Sequence, residues 1–302
     1  ARRRREGTLE ESNLLVESIQ ELIKPHVFLY LLVFSGFWFM FNALFDVLPL
    51  HIRDWVDRSD VMNTLFGGGQ TSNPFLKFFF GMNEEGTDIL PEGMLNLNAG
   101  LIMVSCFFFA YISGLMRATT SMVVGTLMAT LALFATGHAT SGWIMVGIIF
   151  LFSIGEMLSS PKFSEFIGNF APHDKKAMYL GFSQIPLAIG WTLEGFFGPW
   201  LYGIFASKDK FSRELLLERL ESGTAQLPTG EGLAQLADSS TLELAQVQDL
   251  ATANAQQVVE AIPQGEAFSW LEALTAESAK ALTDNLYQTH NIQIVWYVMG
   301  GV

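Results

Sequence analysis

Long apolar runs dominate the pattern of hydrophobic and polar positions along this chain. A helix of about 20 apolar residues crosses a bilayer, where backbone groups must pair within the chain. A further run begins near Ile292 and is still apolar at Val302. The pattern therefore predicts an all-α membrane protein with five complete spans, the fourth stopping at Pro161, and the start of a sixth. The complete spans cover about Pro25 to Leu50, Met94 to Met116, Thr119 to His138, Trp143 to Ser160, and Met178 to Ala206.

Charged residues lie mostly between these runs, and their distribution predicts the orientation. Short loops rich in Lys and Arg stay on the cytoplasmic side. Basic residues are denser on one side of the predicted spans, at Arg2 to Arg5, Lys24, Arg117, Lys162, Lys175 and Lys176. The loops on the other side are longer and hold most of the acidic residues. We therefore expect a multi-pass protein of a cell membrane, such as the bacterial inner membrane, with residue 1 on the cytoplasmic side.

Two segments outside the spans show helical patterns of their own. Residues 1–23 form a predicted cytoplasmic linker, in which Thr8 and Glu11 have the spacing of a capping box. An amphipathic helix follows, with apolar residues at Leu15, Ile19, Leu22 and Ile23. Arg2 to Arg5 either contact anionic lipid or remain a solvated linker.

The second segment is a predicted extracytoplasmic helical insertion at 207–290. Three helical patterns fit there, and they begin near Ser212, Leu244 and Phe268. Its role as a passive insertion or as a gating or partner surface stays open. The predicted organisation is a linker at 1–23, a five-span bundle at 24–206, the insertion, and the start of a last span at 291–302.

Composition narrows the class of protein. The chain has 302 residues, is 50% hydrophobic and 16% charged, and contains one Cys. These values exclude a disordered chain and a disulfide scaffold. The net charge of −13 reflects solvated loops, so no nucleic-acid partner is expected. No phosphate-binding loop, metal-ligand spacing or nucleophile–base pair occurs, so no cofactor and no enzymatic activity are predicted. The start at Ala1 and the apolar end predict a piece of a longer protein.

Polar side chains inside the spans are the candidate functional residues, because such residues at membrane depth face a cavity or a partner. The leading candidate is Glu156, which stands alone in an apolar run. The secondary candidates lie in the first span (Trp38, Asn42 and Asp46) and along one predicted face of the fifth (Gln184, Trp191 and Glu194). For each, the alternative is a structural role: a buried pair for Glu156, interhelical packing for Asn42, Gln184 and Trp191, and a side chain that reaches water for Asp46.

Three short motifs resemble a known family. They are Gly155-Glu-Met-Leu-Ser-Ser-Pro161, Asn169-Phe-Ala-Pro172 and Lys176-Ala-Met-Tyr-Leu-Gly181. Together they resemble the tenth helix, the next loop and the eleventh helix of major facilitator superfamily transporters, most closely the proton-coupled oligopeptide branch. The resemblance implies the C-terminal six-helix bundle of that fold. It also implies that Glu156 matches the carboxylate facing the amino end of the peptide.

The expected function is secondary active transport by alternating access, with proton-coupled uptake of di- or tripeptides or a similar small polar solute. The expected partners are that solute, protons, the lipid bilayer and a missing N-terminal six-helix half. The branch often has an acid in its seventh helix where this chain has Phe41 and Asn42. Two alternatives stay open: a facilitator for a sugar, organic anion or drug, and a transporter-like sensor or scaffold.

Overall fold

The computed structural model describes residues 14–275 and 277–302, and these residues form helices joined by short loops. The helices of the bundle and its loops are α1 (Leu14–Leu22), α2 (Pro25–Asp46), α3 (Leu48–Trp55), α4 (Ser59–Phe66), α5 (Pro74–Phe80), α6 (Pro91–Gly114), α7 (Ala118–Thr136), α8 (Gly142–Phe170), α9 (Lys176–Phe182) and α10 (Gln184–Phe205). The remaining helices are α11 (Lys208–Glu221), α12 (Glu231–Asp238), α13 (Leu244–Leu250), α14 (Ala255–Ala261), α15 (Ala267–Thr275), α16 (Ala279–Thr289) and α17 (Gln293–Gly300).

Four helices of the described part are long and apolar enough to cross a bilayer: α2, α6, α7 and α8. This supports the prediction of an all-α protein with several membrane spans. Helix α10 has 22 residues but is not among the four. Gln184, Glu194 and several Gly, Pro and Trp residues lower its mean hydropathy. The fifth span therefore stays a prediction, as does the assignment of the bundle to the major facilitator fold.

Two predicted span boundaries are wrong. Helix α2 ends at Asp46, and Pro49 lies in the first turn of α3, where a proline needs no N–H partner. Helix α8 does not stop at Pro161 but continues to Phe170. In the turn before this proline, the Ser121 hydroxyl donates to the carbonyl oxygen of Leu158 at 2.7 Å. Membrane helices tolerate proline when such a neighbouring side chain pairs with the backbone.

The fifth predicted run also differs, because it contains two helices. Helices α9 and α10 meet at Ser183, whose hydroxyl donates to the Leu180 carbonyl oxygen at 2.6 Å. Pro186, in the first turn of α10, has no N–H to continue the α9 hydrogen-bond pattern. The short α9 belongs to the side of the bundle that carries α1.

The bundle is held together by close helix pairs, mainly α7 with α8, α2 with α10 and α6 with α8. Glycines allow the first two pairs to approach. A Cβ at Gly155 in α8 would lie 2.5 Å from the carbonyl oxygen of Gly125 in α7, which is closer than real Cβ atoms come. A Cβ at Gly190 in α10 would lie 2.6 Å from the Ser35 carbonyl oxygen in α2. Such backbone contacts are typical of helix pairs in membranes.

Helices α11 to α16 form a cap with a hydrophobic core of its own, in which Leu216, Val247, Trp270, Leu271 and Leu282 are buried. The segment after α10 is helical. The three predicted helical patterns correspond to five helices, and α12 lies between the first and second patterns. The second pattern breaks because Asn254 caps α14 by accepting from Gln257 N at 2.9 Å.

Two hydrogen bonds at the base of the cap connect it to the bundle. Trp55 Nε1 donates to the carbonyl oxygen of Ala206 at 3.0 Å, just before the cap begins. The Tyr287 hydroxyl in α16 donates to the carbonyl oxygen of Gly137 at 2.6 Å. The first bond ties α3 to the residue that leads into the cap, and the second ties the end of α7 to the last cap helix. Together they limit the movement of the cap against the bundle.

The predicted amphipathic helix is present as α1, and it is attached to the bundle through Glu21. Leu15 and Ile19 are exposed on α1, and Ile23 is exposed just after it. Glu21, in contrast, is buried and accepts hydrogen bonds from Lys175 Nζ at 2.6 Å and from the Tyr179 hydroxyl at 2.8 Å. The predicted capping box and Arg2 to Arg5 lie outside the described residues.

The contacts of Glu21 predict that its replacement will release α1. Bonds to Lys175 and Lys24 lower the pKa of Glu21 from 4.5 to about 2. Glu21→Gln should speed amide hydrogen exchange in α1 by about thirtyfold, which corresponds to about 2 kcal/mol for a charged hydrogen-bond network. Because the pKa is lowered on folding, the attachment should be complete above about pH 4.5 and be lost as the pH falls towards 2.

Glu165→Gln is the matched control for this exchange measurement, because Glu165 is an exposed carboxylate that pairs with Lys162 within α8. This pair joins two residues of the same helix, so the change should leave exchange in α1 nearly unchanged. Equal exchange rates in Glu21→Gln and in the unmodified protein would show that α1 is held by other contacts.

Candidate functional site

The first polar cluster joins α2 to α10. Glu194 is fully buried, and its Oε2 accepts a hydrogen bond from Asn42 Nδ2 at 2.6 Å. The same amide nitrogen donates to Asp46 Oδ2 at 3.0 Å. Since an amide NH₂ has two hydrogens, Asn42 bridges two carboxylates. Within the described residues, Oε1 of Glu194 has no hydrogen-bond partner.

Small residues create the space for this cluster. Gly190 brings α10 close to α2 one turn before Glu194. Gly198, one turn after it, leaves room for the carboxylate, since a Cβ there would collide with Glu194 Oε1 and lie 2.9 Å from Val47 Cγ2. The glycine spacing of α10 thus positions a buried acid between two helices. The sequence did not predict the contact of Glu194 with Asn42.

The second polar cluster joins α6 to α8 and contains the leading candidate, Glu156. Asn98 Nδ2 donates to Glu156 Oε2 at 3.0 Å and to Ser153 Oγ at 2.9 Å. Glu156 is half-buried, whereas Asn98 and Ser153 are buried. In the sequence, Glu156 was interpreted as standing alone in an apolar run. The only signal for its pairing with Asn98 was that both are polar residues at membrane depth.

The remaining candidates do not gather around either carboxylate. Gln184 is exposed, and Trp191 is 45% exposed on α10. A helix turns about 100° per residue, so Glu194 points about 60° away from Trp191 and about 80° away from Gln184. All three therefore lie within about 80° around α10, although only Glu194 is buried, and their common face stays a prediction. Their role in a cavity stays a prediction.

Trp38 lies among aromatic rings of the same helix, edge-on to Phe37 and Phe41. Its Nε1 is buried and has no hydrogen-bond partner in the part of the chain that the structure describes. In that part of the chain, no group of three His, Cys, Asp or Glu side chains is arranged to hold a metal ion.

Two curated proteins are similar to the chain, and both are named Multidrug resistance protein MdtH. The protein from Blochmanniella floridana is 20% identical over 191 residues, which cover 63% of this chain and 41% of that protein. The protein from Edwardsiella ictaluri (strain 93-146) is 29% identical over 86 residues, or 28% of this chain and 21% of that protein. The chain thus matches about two fifths or less of the length of these relatives.

No protein-family model and no solved structure matches the chain. The likeness to multidrug resistance proteins agrees with the apolar helices in supporting a multi-pass membrane protein. It also supports the major facilitator resemblance at the level of the superfamily. Neither relative is named as a peptide transporter, so the comparisons do not support the peptide branch.

Proposed function

We propose that the full-length protein is a secondary active transporter of the major facilitator superfamily and that this chain supplies its C-terminal helical bundle. In this proposal α1 lies on the cytoplasmic side and the cap on the opposite side. The observation that carries it is the pair of amide–carboxylate contacts inside apolar helices, Asn42 with Glu194 and Asn98 with Glu156. Acidic side chains at this depth are costly and usually belong to ion or solute pathways.

Glu156 is the residue that we assign to the proton or to a cationic solute. Asn98 donates to Oε2, and in the described chain no hydrogen bond reaches Oε1. Because Glu156 is only half-buried, this oxygen is accessible to a ligand. We assign Glu194 mainly a structural role, in holding α2 against α10, because its side chain is fully buried.

Export of a drug-like organic cation is the favoured activity. The names of both relatives support it, and a carboxylate such as Glu156 suits a cationic solute. Uptake of di- or tripeptides is the second candidate, and it rests on the Gly155-Glu156 motif and on the accessible carboxylate. The two activities differ in the direction of movement and in the class of solute.

The test is transport by the full-length protein in proteoliposomes under an imposed proton gradient, with ethidium and a labelled dipeptide as probes. We expect ethidium to exchange for protons. Glu156→Gln keeps the size of the side chain but removes its charge. It should lower gradient-driven movement by about 5- to 150-fold, the usual range of coupling between two ligands. Glu218→Gln, the same change at an exposed position of the cap, should have no effect.

The other outcomes each contradict a specific part of the proposal. Movement of the dipeptide but not of ethidium would contradict drug export and favour peptide uptake. Undiminished gradient-driven transport by Glu156→Gln would remove that residue from the mechanism. If neither these probes nor sugars and organic anions move, and a partner binds the cap stably, the protein is a sensor or scaffold.

A further inference from the structure

A polar chamber of about 540 Å³ lies where the cap meets the bundle. Its walls come from α3, α4, the residues before α8, and the cap helices α11 and α16. The charged residues among its lining include Arg53, Asp57, Lys208, Lys280 and Asp284. Its volume is within the range of sites for small molecules. Neither Glu156 nor Glu194 lines it, so it is separate from the clusters of the proposed transport pathway.

Lys208, at the start of α11, is the most unusual group in the chamber. Its Nζ donates to Thr283 Oγ1 at 2.8 Å and lies 3.6 Å from the centre of the Phe268 ring. Among the described residues, no carboxylate is within ion-pair distance of this nitrogen. Burial lowers the pKa of Lys208 to about 8, against the opposing effect of Asp54 and Glu272. An ammonium group has three donors, so at least one remains for a ligand.

The carboxylates of the chamber differ in whether they already accept a hydrogen bond. Asp54 accepts from Arg53 Nε and from the Tyr202 hydroxyl, both at 2.8 Å. Asp60 accepts from Ser141 Oγ. Asp284 makes no hydrogen bond or ion pair within the described part of the chain. The chamber therefore offers two lysines without an ion-pair partner among the described residues, the half-buried Lys208 and the exposed Lys280, and one carboxylate without a donor.

We propose that this chamber binds a short zwitterion, with its carboxylate on Lys208 and its amino group towards Asp284. Lys208 alone would suit any small carboxylate. A simple anion, however, would also meet Asp54, Asp57, Asp60 and Asp284, which outnumber the cations of the lining. A ligand that carries both charges can pair its amino group with these carboxylates. Binding in the chamber needs no gradient, so it is independent of the proposed transport.

The test is equilibrium binding of radiolabelled 4-aminobutyrate to the full-length protein in detergent. Unlabelled butyrate and butylamine serve as competitors, because each keeps the chain length but lacks one charge. We expect saturable binding that unlabelled 4-aminobutyrate displaces well and both competitors displace poorly. Lys208→Met should weaken binding by about ten- to hundredfold, the usual value of a hydrogen bond to a charged group.

Two further variants separate this site from general charge effects. Asp284→Asn, at an exposed position, should weaken binding of 4-aminobutyrate while leaving competition by butyrate unchanged. Lys210→Met removes an exposed lysine two residues from Lys208 and should bind as the unmodified protein does. Absence of saturable binding, or unchanged binding by Lys208→Met, would overturn the proposal. Competition by butyrate as strong as by 4-aminobutyrate would overturn the assignment of a zwitterion.

Discussion

Asn42→Leu should destabilise the bundle by about 3 kcal/mol, and adding Glu194→Leu should recover most of that loss. Asn42 is the donor to the fully buried carboxylate of Glu194. Without it, the buried carboxyl group of Glu194 has no donor, and leaving such a group unsatisfied costs about 1–3 kcal/mol, or more where the group is charged. Replacing both partners by apolar residues removes the cost of desolvation as well.

The size of the effect distinguishes two roles of Asn42. An ordinary hydrogen bond between membrane helices contributes about 0.6 kcal/mol on average. A loss of only that size in Asn42→Leu would mean that Glu194 finds another partner or becomes neutral without penalty. The measurement is a double-mutant cycle by denaturant titration of the full-length protein in micelles. Asn285→Leu, at an exposed position of α16, is the control for the added hydrophobic surface.

Gly155→Leu should have a still larger effect, with most of the protein failing to reach the folded state. A Cβ at this position would lie 2.5 Å from the Gly125 carbonyl oxygen and 2.9 Å from the Ala129 backbone nitrogen. These are backbone atoms, so α7 and α8 must separate to admit the side chain. Overpacking of a core costs about 1–3 kcal/mol and occasionally more. Here the cost should exceed this range, since α7 with α8 is the most extensive helix pair of the bundle.

Gly147→Leu is the matched control for this experiment. Gly147 lies two turns earlier in the same helix, and a Cβ there would meet no atom within 4 Å. It should therefore give a normal yield of monodisperse protein in size-exclusion chromatography, with an unchanged melting temperature. Equal yields of the two variants would contradict the close contact between α7 and α8. Gly155 directly precedes Glu156. A folded Gly155→Leu protein would therefore also show that this contact does not set the distance between the helices at Glu156.

Hydropathy patterns predicted the general architecture, since a long apolar run that crosses a membrane can adopt few structures. The helices of the first four runs and the helix before Pro25 follow from composition and period alone. The boundaries failed where local signals depend on the surroundings. A proline such as Pro161 ends most helices in water. Here α8 continues through it, and the Ser121 hydroxyl pairs with the backbone in the preceding turn. Pro49 begins a new helix rather than marking the end of a span.

Candidate polar residues were also predicted from the sequence, because charge at membrane depth is conspicuous in an apolar run. Glu156, Asn42 and Glu194 were named on that ground. The contacts between them were not predicted, because helical period tells which residues share a face but not which helix that face meets. Asn98 and Glu156 are 58 residues apart, and Asn42 and Glu194 are 152 apart. The meeting of Asn42 with Glu194 depends on the glycines that let α10 approach α2.

The sequence by itself determined an α-helical membrane protein with a few polar side chains in its apolar helices. The energy of transfer from water to lipid depends on local composition, which a sequence displays directly. Only the tertiary structure decided that these side chains form two separate amide–carboxylate clusters. It also decided that Lys208 faces a polar chamber beneath the cap. Such groupings depend on side chains distant in sequence, and the packing that brings them together is a property of the whole fold.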